Sequence, residues 1–577
     1  MVAFLFIFAL IAGVAACFIT LYFGNTYDYI LPVGATFFLV LIVNGLLLFL
    51  GLPTIGFFFP ASWFFLIVAG AIGACIGFFS IQGINGASIP AGFFALFLVI
   101  YVPSSCEMCH SKDYRNLLGE VKKSDFSKSI PKVKLEDIRL VSLSTASTLA
   151  KKVLGQAEGD TVLGSQLKID YNSACIQEVR GELWWIFPLD FSGFFKWRNR
   201  KVVPGYIRVN AQDSTKEAEL IDADRQSGKK FKIRYTREAF FASYLDRKVY
   251  LQYPTIYNDD FTFEVDDNWR PYYVISATSP EIGFSGYKTR GVIIADPQTG
   301  KIEFRKMGNI PSWIDRVIPL YQAHDQMTWW GEYIHGWWNT IFSEKDIQIP
   351  TDYEYGKDLW FVKVGKRKYW FTGMTSLNAS DQSLVGTLMM DTRTGKASYH
   401  VIHGTDENGV LETVDAALGA DSARWSPTQP IPYNLFGVPT WVLPVVSHEG
   451  IFQRLAMVDM NNINTIAVDK NINRALEKYR VLLARNSSTV KIDGSGVMRI
   501  GPVRVLRVGD TVSGGNKIFY LMLEGYGRRL FATSGETDKT RLAALVKQGD
   551  MVTVTCFKTK EPVISINSLS IKNLSGR

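Results

Sequence analysis

The sequence predicts a multi-domain membrane protein with an all-α bundle of about four transmembrane helices, tandem α+β modules with antiparallel sheets, and a small all-β barrel at the end. Three observations predict it. Residues 1–102 hold no lysine or arginine and a single acidic residue, Asp28, among runs of Phe, Leu, Ile, Val, Ala and Gly. A strand-turn-strand pattern then recurs over most of the chain, and residues 487–577 combine evenly spaced strands with fourteen Lys or Arg against seven Asp or Glu. The resulting boundaries are 1–103 for the bundle, 104–134 for a juxtamembrane linker, 135–485 for the modules and 486–577 for the basic barrel.

The bundle follows from the absence of charge. A water-facing fold needs charged groups, whereas lipid penalises each by several kcal/mol. Segments 1–24, 29–51 and 55–81 each supply the roughly 20 residues that cross a hydrocarbon core about 30 Å thick. A fourth, 84–102, is interrupted by Gly86, Pro90 and Gly92. The first lacks the basic start and small-residue cleavage site of a signal peptide, so it is expected to be retained. Gly70, Gly73, Ala74 and Gly77 suit close helix packing. Lys112, Arg115, Lys122, Lys123 and Lys128 follow the fourth segment, while the preceding loops carry no cation. The positive-inside rule then places the head in the cytoplasm of a multi-pass inner or plasma membrane protein. Six cysteines, with Cys17 and Cys75 inside apolar segments, supply no disulfide framework.

Beyond the linker, Ile138, Val141, Leu143, Ala146, Leu149, Ala150, Val153 and Leu154 recur at helical spacing, and Gly155 suits a C-terminal cap. Residues 271–304 and 359–401 then read as paired strands, each ending in Asp-x-x-Thr-Gly-Lys at Asp296, Thr299, Gly300, Lys301 and at Asp391, Thr394, Gly395, Lys396. Asp bonds the backbone two residues on and Gly accepts a positive φ, which is the chemistry of a tight hairpin. Looser copies lie at 181–220 and 432–468, with helical stretches at 236–251, 312–342, 410–423 and 471–484. A helix followed by an antiparallel sheet ending in this hairpin resembles PepSY-like domains. The resemblance implies protein interaction or inhibition, and an extracytoplasmic setting that conflicts with the charge-based topology.

In the tail, three strands, a helix at 540–550 and two further strands resemble an OB-fold, a five-stranded barrel with a helix between its third and fourth strands. Arg499, Arg504, Arg507, Lys517, Arg528 and Arg529, accompanied by Phe519, Tyr520, Tyr526 and Phe531, form the candidate surface for a partner or for single-stranded nucleic acid. Phosphates need cations, and bases need flat side chains to stack on. Alternation sends about half of the aromatics inward.

Other constellations are sparser. Cys106, Cys109 and His110 fit the spacing of c-type haem attachment and define a juxtamembrane thiol site. Glu332 and His335 share a helix face within an aromatic-rich segment, but no second Glu-x-x-His exists to complete a di-iron site. His400 and His403 lack a third ligand nearby, and Ser376, Ser380, Asp381 and Ser383 lack a nucleophile elbow. No phosphate-binding loop occurs. The expectation is therefore a non-enzymatic membrane-anchored scaffold with no assigned metal or cofactor. Its partners would be the lipid bilayer and other proteins or a second copy of itself. A membrane-tethered nucleic-acid binder and an extracytoplasmic haem or protease-regulating protein are the alternatives.

Overall fold

Strand-forming residues and tight turns dominate the chain from about residue 160 onward, and they fold as antiparallel meanders. The computed structural model describes parts of 39–68 and then 88–572, apart from 156, 159–160, 258–259, 353–358, 378–381, 487–496, 514–515, 536–539 and 558–561. Four meanders follow one another. The first comprises β1 (Leu167–Ile169), β2 (Cys175–Val179), β3 (Glu182–Phe191), β4 (Tyr206–Asn210) and β5 (Glu219–Ile221). The second comprises β6 (Phe261–Val265), β7 (Pro271–Ser279), β8 (Lys288–Ala295) and β9 (Ile302–Lys306). The third holds β10 (Ile349–Pro350), β11 (Trp360–Val364), β12 (Arg367–Thr375), β13 (Ser383–Asp391) and β14 (Ala397–Thr405). The fourth holds β15 (Trp425–Pro427), β16 (Ile431–Leu435), β17 (Val438–Ser447), β18 (Phe452–Asp459) and β19 (Asn462–Asp469).

A shared register shows that these are copies of one unit. Each has a long strand, β3, β7, β12 or β17, whose first neighbour is broken in two. The last pairs before the break are Cys175↔Ile186, Phe261↔Ile275, Trp360↔Phe371 and Ile431↔Val442. Pairing resumes at Leu189, Thr278, Met374 and Val445, in every copy three residues further along the long strand. The break explains two prolines inside buried strands, Pro188 and Pro444. Proline has no N–H for a ladder bond, and here the neighbour that would receive one is missing. Their carbonyls still accept from the Asp170 and Thr428 backbones at 3.0 and 2.8 Å. The third copy has Gly373 at this place, and its N–H donates instead to the buried Glu407 carboxylate at 2.6 Å. Burial pushes the Glu407 carboxyl up to about 7, against the pull of that bond.

The turn between the third and fourth strands repeats as well. Asp296 Oδ1 accepts from the backbones of Gln298 and Thr299, and Asp391 Oδ1 from Arg393 and Thr394. Gly300 and Gly395 close the turns at φ +71° and +70°, a region that a side chain strains. Asn210 Oδ1 does the same for Gln212 and Asp213 without a Thr-Gly pair. Asp391→Ala is expected to cost about 1 kcal/mol through two lost acceptor contacts. Thermal unfolding would check this, and an unchanged midpoint would show that the carboxylate is dispensable to the turn.

One apolar core runs through the first three meanders and includes Trp185, Phe187, Tyr273, Ile293, Trp370 and Met390. A second joins the third and fourth around Phe371, Val442 and the fully buried Trp441, whose indole donates to the Thr405 carbonyl. The segment before the first meander ties distant copies together. Residues 122–124 pair in parallel with β14, Val133 donates to Asn434 in the fourth meander, and Leu140 and Val141 donate to Ala211 in the first.

Helices are few among the described residues. They include α1 (Ser88–Ser105), α2 (Glu107–Asn116), α3 (Leu143–Gly155), α4 (Leu245–Gln252), α5 (Leu320–Glu332), α6 (Trp337–Phe342), α7 (Glu407–Leu418) and α8 (Ile472–Asn486), besides Phe194–Arg200 and shorter turns. The expected α+β modules are thereby corrected: the repeating unit is a β-meander, and its helices lie in the connections.

The expected transmembrane bundle and multi-pass inner or plasma membrane location are corrected too. Among the described residues no single helix is long and apolar enough to cross a membrane. One pair, Phe94–Ser105 with Glu107–Asn116, passes that test together across a 45° bend. Segment 1–24 lies outside the described residues, and 29–51 and 55–81 are described only in part. Apolar composition does not by itself set helix length, and some of these residues pack on the head instead. Leu48, Ile55 and Phe65 bury against Tyr250 of α4, Arg247 sits 3.9 Å over the Phe49 ring, and Phe58, Phe97 and Tyr101 surround Phe284.

Candidate functional site

The C-terminal strands β20 (Val497–Ser513), β21 (Asn516–Leu523), β22 (Leu530–Thr533), β23 (Met551–Phe557) and β24 (Val563–Ile571) close a barrel in the order β20-β21-β22-β24-β23. Its third and last strands run parallel, Leu530 opposite Val563. The 17-residue first strand serves both sides, pairing with β23 through residues 497–504 and with β21 through 505–513. Alternation fills the interior with Val505, Leu521, Leu523, Phe531, Val554 and Ile564.

One outer face of this barrel is covered. Val481 of α8 buries with Ile518, Ala532 and Val563, and Tyr520 and Leu530 pack against them. The helix that ends the fourth meander therefore fastens the barrel to the head through strands β21, β22 and β24. Of the candidate aromatics, Tyr520 packs under α8, Phe531 fills the barrel interior, and Phe519 and Tyr526 are half-buried. Phe531 is fully buried, and Tyr526 meets its ring edge-on at 5.5 Å. Phe519 lies so close to Gly535 that a methyl there would come within 2.9 Å of the ring.

The candidate cations remain outside. Arg499, Arg504, Arg507, Lys517, Arg528 and Arg529 are all exposed. Glu524 donates its N–H to the Arg504 carbonyl, and Arg507 pairs with Met522, so the register gathers Arg504 and Arg507 beside the turn that bears Arg528 and Arg529. Lys517 is at the far end of β21, paired with Asp510 at 3.1 Å. Among the described residues the five arginines make no ion pair or side-chain hydrogen bond. The same ribbon exposes Leu506 at 38%, Val508 at 39% and Val512 at 66%.

Cys106, Cys109 and His110 form the joint between α1 and α2. Cys106 caps α2 with φ −66° and ψ 121°, and its carbonyl receives the N–H groups of Cys109 and His110 at 3.0 Å. Helical geometry breaks at His110. Its ring is held on both sides, Nδ1 at 3.0 Å from Asp113 and Nε2 at 3.0 Å from the Pro103 carbonyl, and the Asp113 carboxylate raises its pKa. Neither nitrogen is left to ligate iron. The turn is held down by Glu107, which accepts from Trp329 and Tyr333, and by Arg115, which donates to the Trp330 carbonyl.

The other candidates do not assemble. His400 is buried between the hydroxyls of Ser124 and Ser398, at 3.1 and 3.2 Å, and burial pushes it down to about 4, so it is a neutral core group. His403 is exposed on the same strand. His335 turns to Asp346 at 2.9 Å rather than to Glu332. Ser380 and Asp381 lie outside the described residues. No group of three potential metal ligands occurs among the described residues.

Sequence reading missed a buried ionic cluster. Lys368 on β12 reaches Glu178 on β2 at 2.5 Å and Asp315, in the connection after β9, at 3.0 Å, while Lys363 on β11 reaches Glu178 at 3.0 Å. Burial opposes the Glu178 charge, but the two lysines outweigh it and hold the carboxyl below its ordinary range. Burial likewise opposes the Lys368 charge, and Asp315 and Glu178 hold it protonated. Glu264 lies alongside, accepting from the N–H groups of Asp315 and Arg316. The only sequence signal was charge inside otherwise apolar strands, at positions as far apart as 178 and 368.

No family model matches the chain, and no curated protein matches it, so no comparison supports a PepSY-like or OB-fold assignment. Among solved structures, a mutant of Synechocystis apocarotenoid oxygenase covers 50% of this chain at 10% identity and a TM-score of 0.13. An ACO/RPE65 chimera covers 50% at 9% identity and a TM-score of 0.12. The chain spans about half the length of these proteins, 48% of each. Likeness at this level carries no argument about fold or function.

Proposed function

We propose that the chain is a non-enzymatic interaction protein in which the four meanders form a rigid body and the C-terminal barrel presents a basic docking surface to an acidic protein. The observation that supports it most directly is the set of arginines, Arg504, Arg507, Arg528 and Arg529, exposed and without partners among the described residues, on a barrel that α8 fastens to the head. Unpaired cations beside exposed Leu506, Val508 and Val512 offer charge complementarity with an apolar centre, the composition of a protein interface. Single-stranded nucleic acid would need stacking platforms, and of the four barrel aromatics Phe531 lies inside and Tyr520 packs under α8.

Fluorescence anisotropy with the full chain tests this reading. A labelled polyglutamate peptide is expected to bind at low salt, and Arg504→Glu with Arg507→Glu to weaken it at least about tenfold, consistent with losing two charge contacts. A labelled oligothymidylate is expected to bind more weakly than the peptide. Tight oligothymidylate binding that falls steeply with salt and is lost in the double variant would replace this reading with the nucleic-acid one.

A further inference from the structure

We propose that Cys106 and Cys109 form a reversible thiol–disulfide site. The inference goes beyond the docking function and stands on the joint between α1 and α2. Cys106 is the N-cap of a ten-residue helix, and Cys109 lies one turn on. Residues three apart in a helix are surface neighbours about 5–6 Å apart, within the range a disulfide spans. The backbone is already drawn into that turn by the bonds from Cys109 and His110 to the Cys106 carbonyl. The Cys106 side chain beside it pushes the Cys109 thiol up, as expected of two thiols that lie close together.

The surroundings fit exchange. Cys109 is exposed and Cys106 half-buried, while Cys175 and Cys556 are buried in the cores. His110, fixed between Asp113 and the Pro103 carbonyl, puts an ionisable ring next to Cys109 in the chain. One of the two cysteines, as its thiolate, attacks one sulfur of an external disulfide, forming a mixed disulfide and releasing one thiolate. The other cysteine then attacks the protein sulfur of that mixed disulfide, and the second thiolate leaves. The two cysteines are oxidised, the small disulfide is reduced to two thiols, and the protons lost by the cysteines pass to the leaving groups.

The full-length chain is equilibrated with mixtures of reduced and oxidised glutathione, quenched by alkylation and read by peptide mass spectrometry. The peptide carrying Cys106 and Cys109 is expected to lose two hydrogens as the mixture becomes oxidising and to regain them on reduction, with Cys175 and Cys556 remaining thiols. Cys106→Ser and Cys109→Ser are each expected to stop at a mixed disulfide with glutathione on the remaining cysteine. Full alkylation of both cysteines in every mixture would overturn the site.

Discussion

Lys368→Met is expected to lower the free energy of unfolding by about 3–5 kcal/mol, because it leaves buried carboxylates without their shared cation. Lys368 is 11% exposed, Asp315 3% and Glu178 16%. After the substitution Glu178 keeps Lys363, but Asp315 keeps only the Glu178 N–H at 2.7 Å. The partners come from three different parts of the head, so their misfit would disturb the packing of the first meander on the third. Lys363→Met is expected to cost less, since Lys368 still serves both acids. Replacing Lys368 and Asp315 together by Met and Leu should recover part of the loss, as a buried pair exchanged for apolar side chains often costs little. Chemical denaturation of the three variants measures the ordering. A loss below about 1 kcal/mol for Lys368→Met would mean that water reaches the cluster and screens it.

Stability is also expected to fall as pH rises from about 5 to about 8, with Glu264 as the main contributor. Burial first, and the Asp315 charge second, push its carboxyl from the ordinary 4.5 up to about 8. The sign follows from proton counting. Between those values the native state holds a proton that the unfolded chain has released, so each rise in pH favours unfolding. The contribution is complete below about 4.5 and is lost as pH passes through about 8, amounting to at most roughly 5 kcal/mol at about 1.4 kcal/mol for each unit. Asp190 and Glu407, both pushed up to about 7 by burial, act in the same direction. Glu264→Gln keeps an acceptor oxygen for the Asp315 N–H, the shorter of the two bonds, and cannot ionise, so it should flatten the curve. Denaturation midpoints measured across that window decide it: parallel curves for the wild type and Glu264→Gln would remove Glu264 as the cause.

The repeated turns were readable in the sequence because their chemistry is local. Asp296 and Asp391 bond N–H groups two and three residues on, and Gly300 and Gly395 take the φ that the turn demands, so a few consecutive residues state the whole interaction. The strands flanking them were readable for the same reason, as were the interior positions of the barrel, which follow from alternation. Composition misled at the other end of the chain. A charge-free stretch says that residues avoid water, and it does not say whether lipid or protein covers them. Leu48, Ile55 and Phe65 are covered by Tyr250.

What the sequence by itself determined was therefore the set of short-range devices: the hairpins, the period of the meanders and the surplus of positive charge in the tail. Only the tertiary structure decided what those devices meet. It placed the break opposite Pro188 and Pro444, supplied Glu407 to Gly373 where no proline stands, joined Glu178 to Lys368 and laid α8 over Ile518, Ala532 and Val563 of the barrel. Each of these contacts links residues tens to nearly two hundred positions apart. Their energies come from excluding water between surfaces that are brought together only once the chain has folded, and no local pattern encodes that.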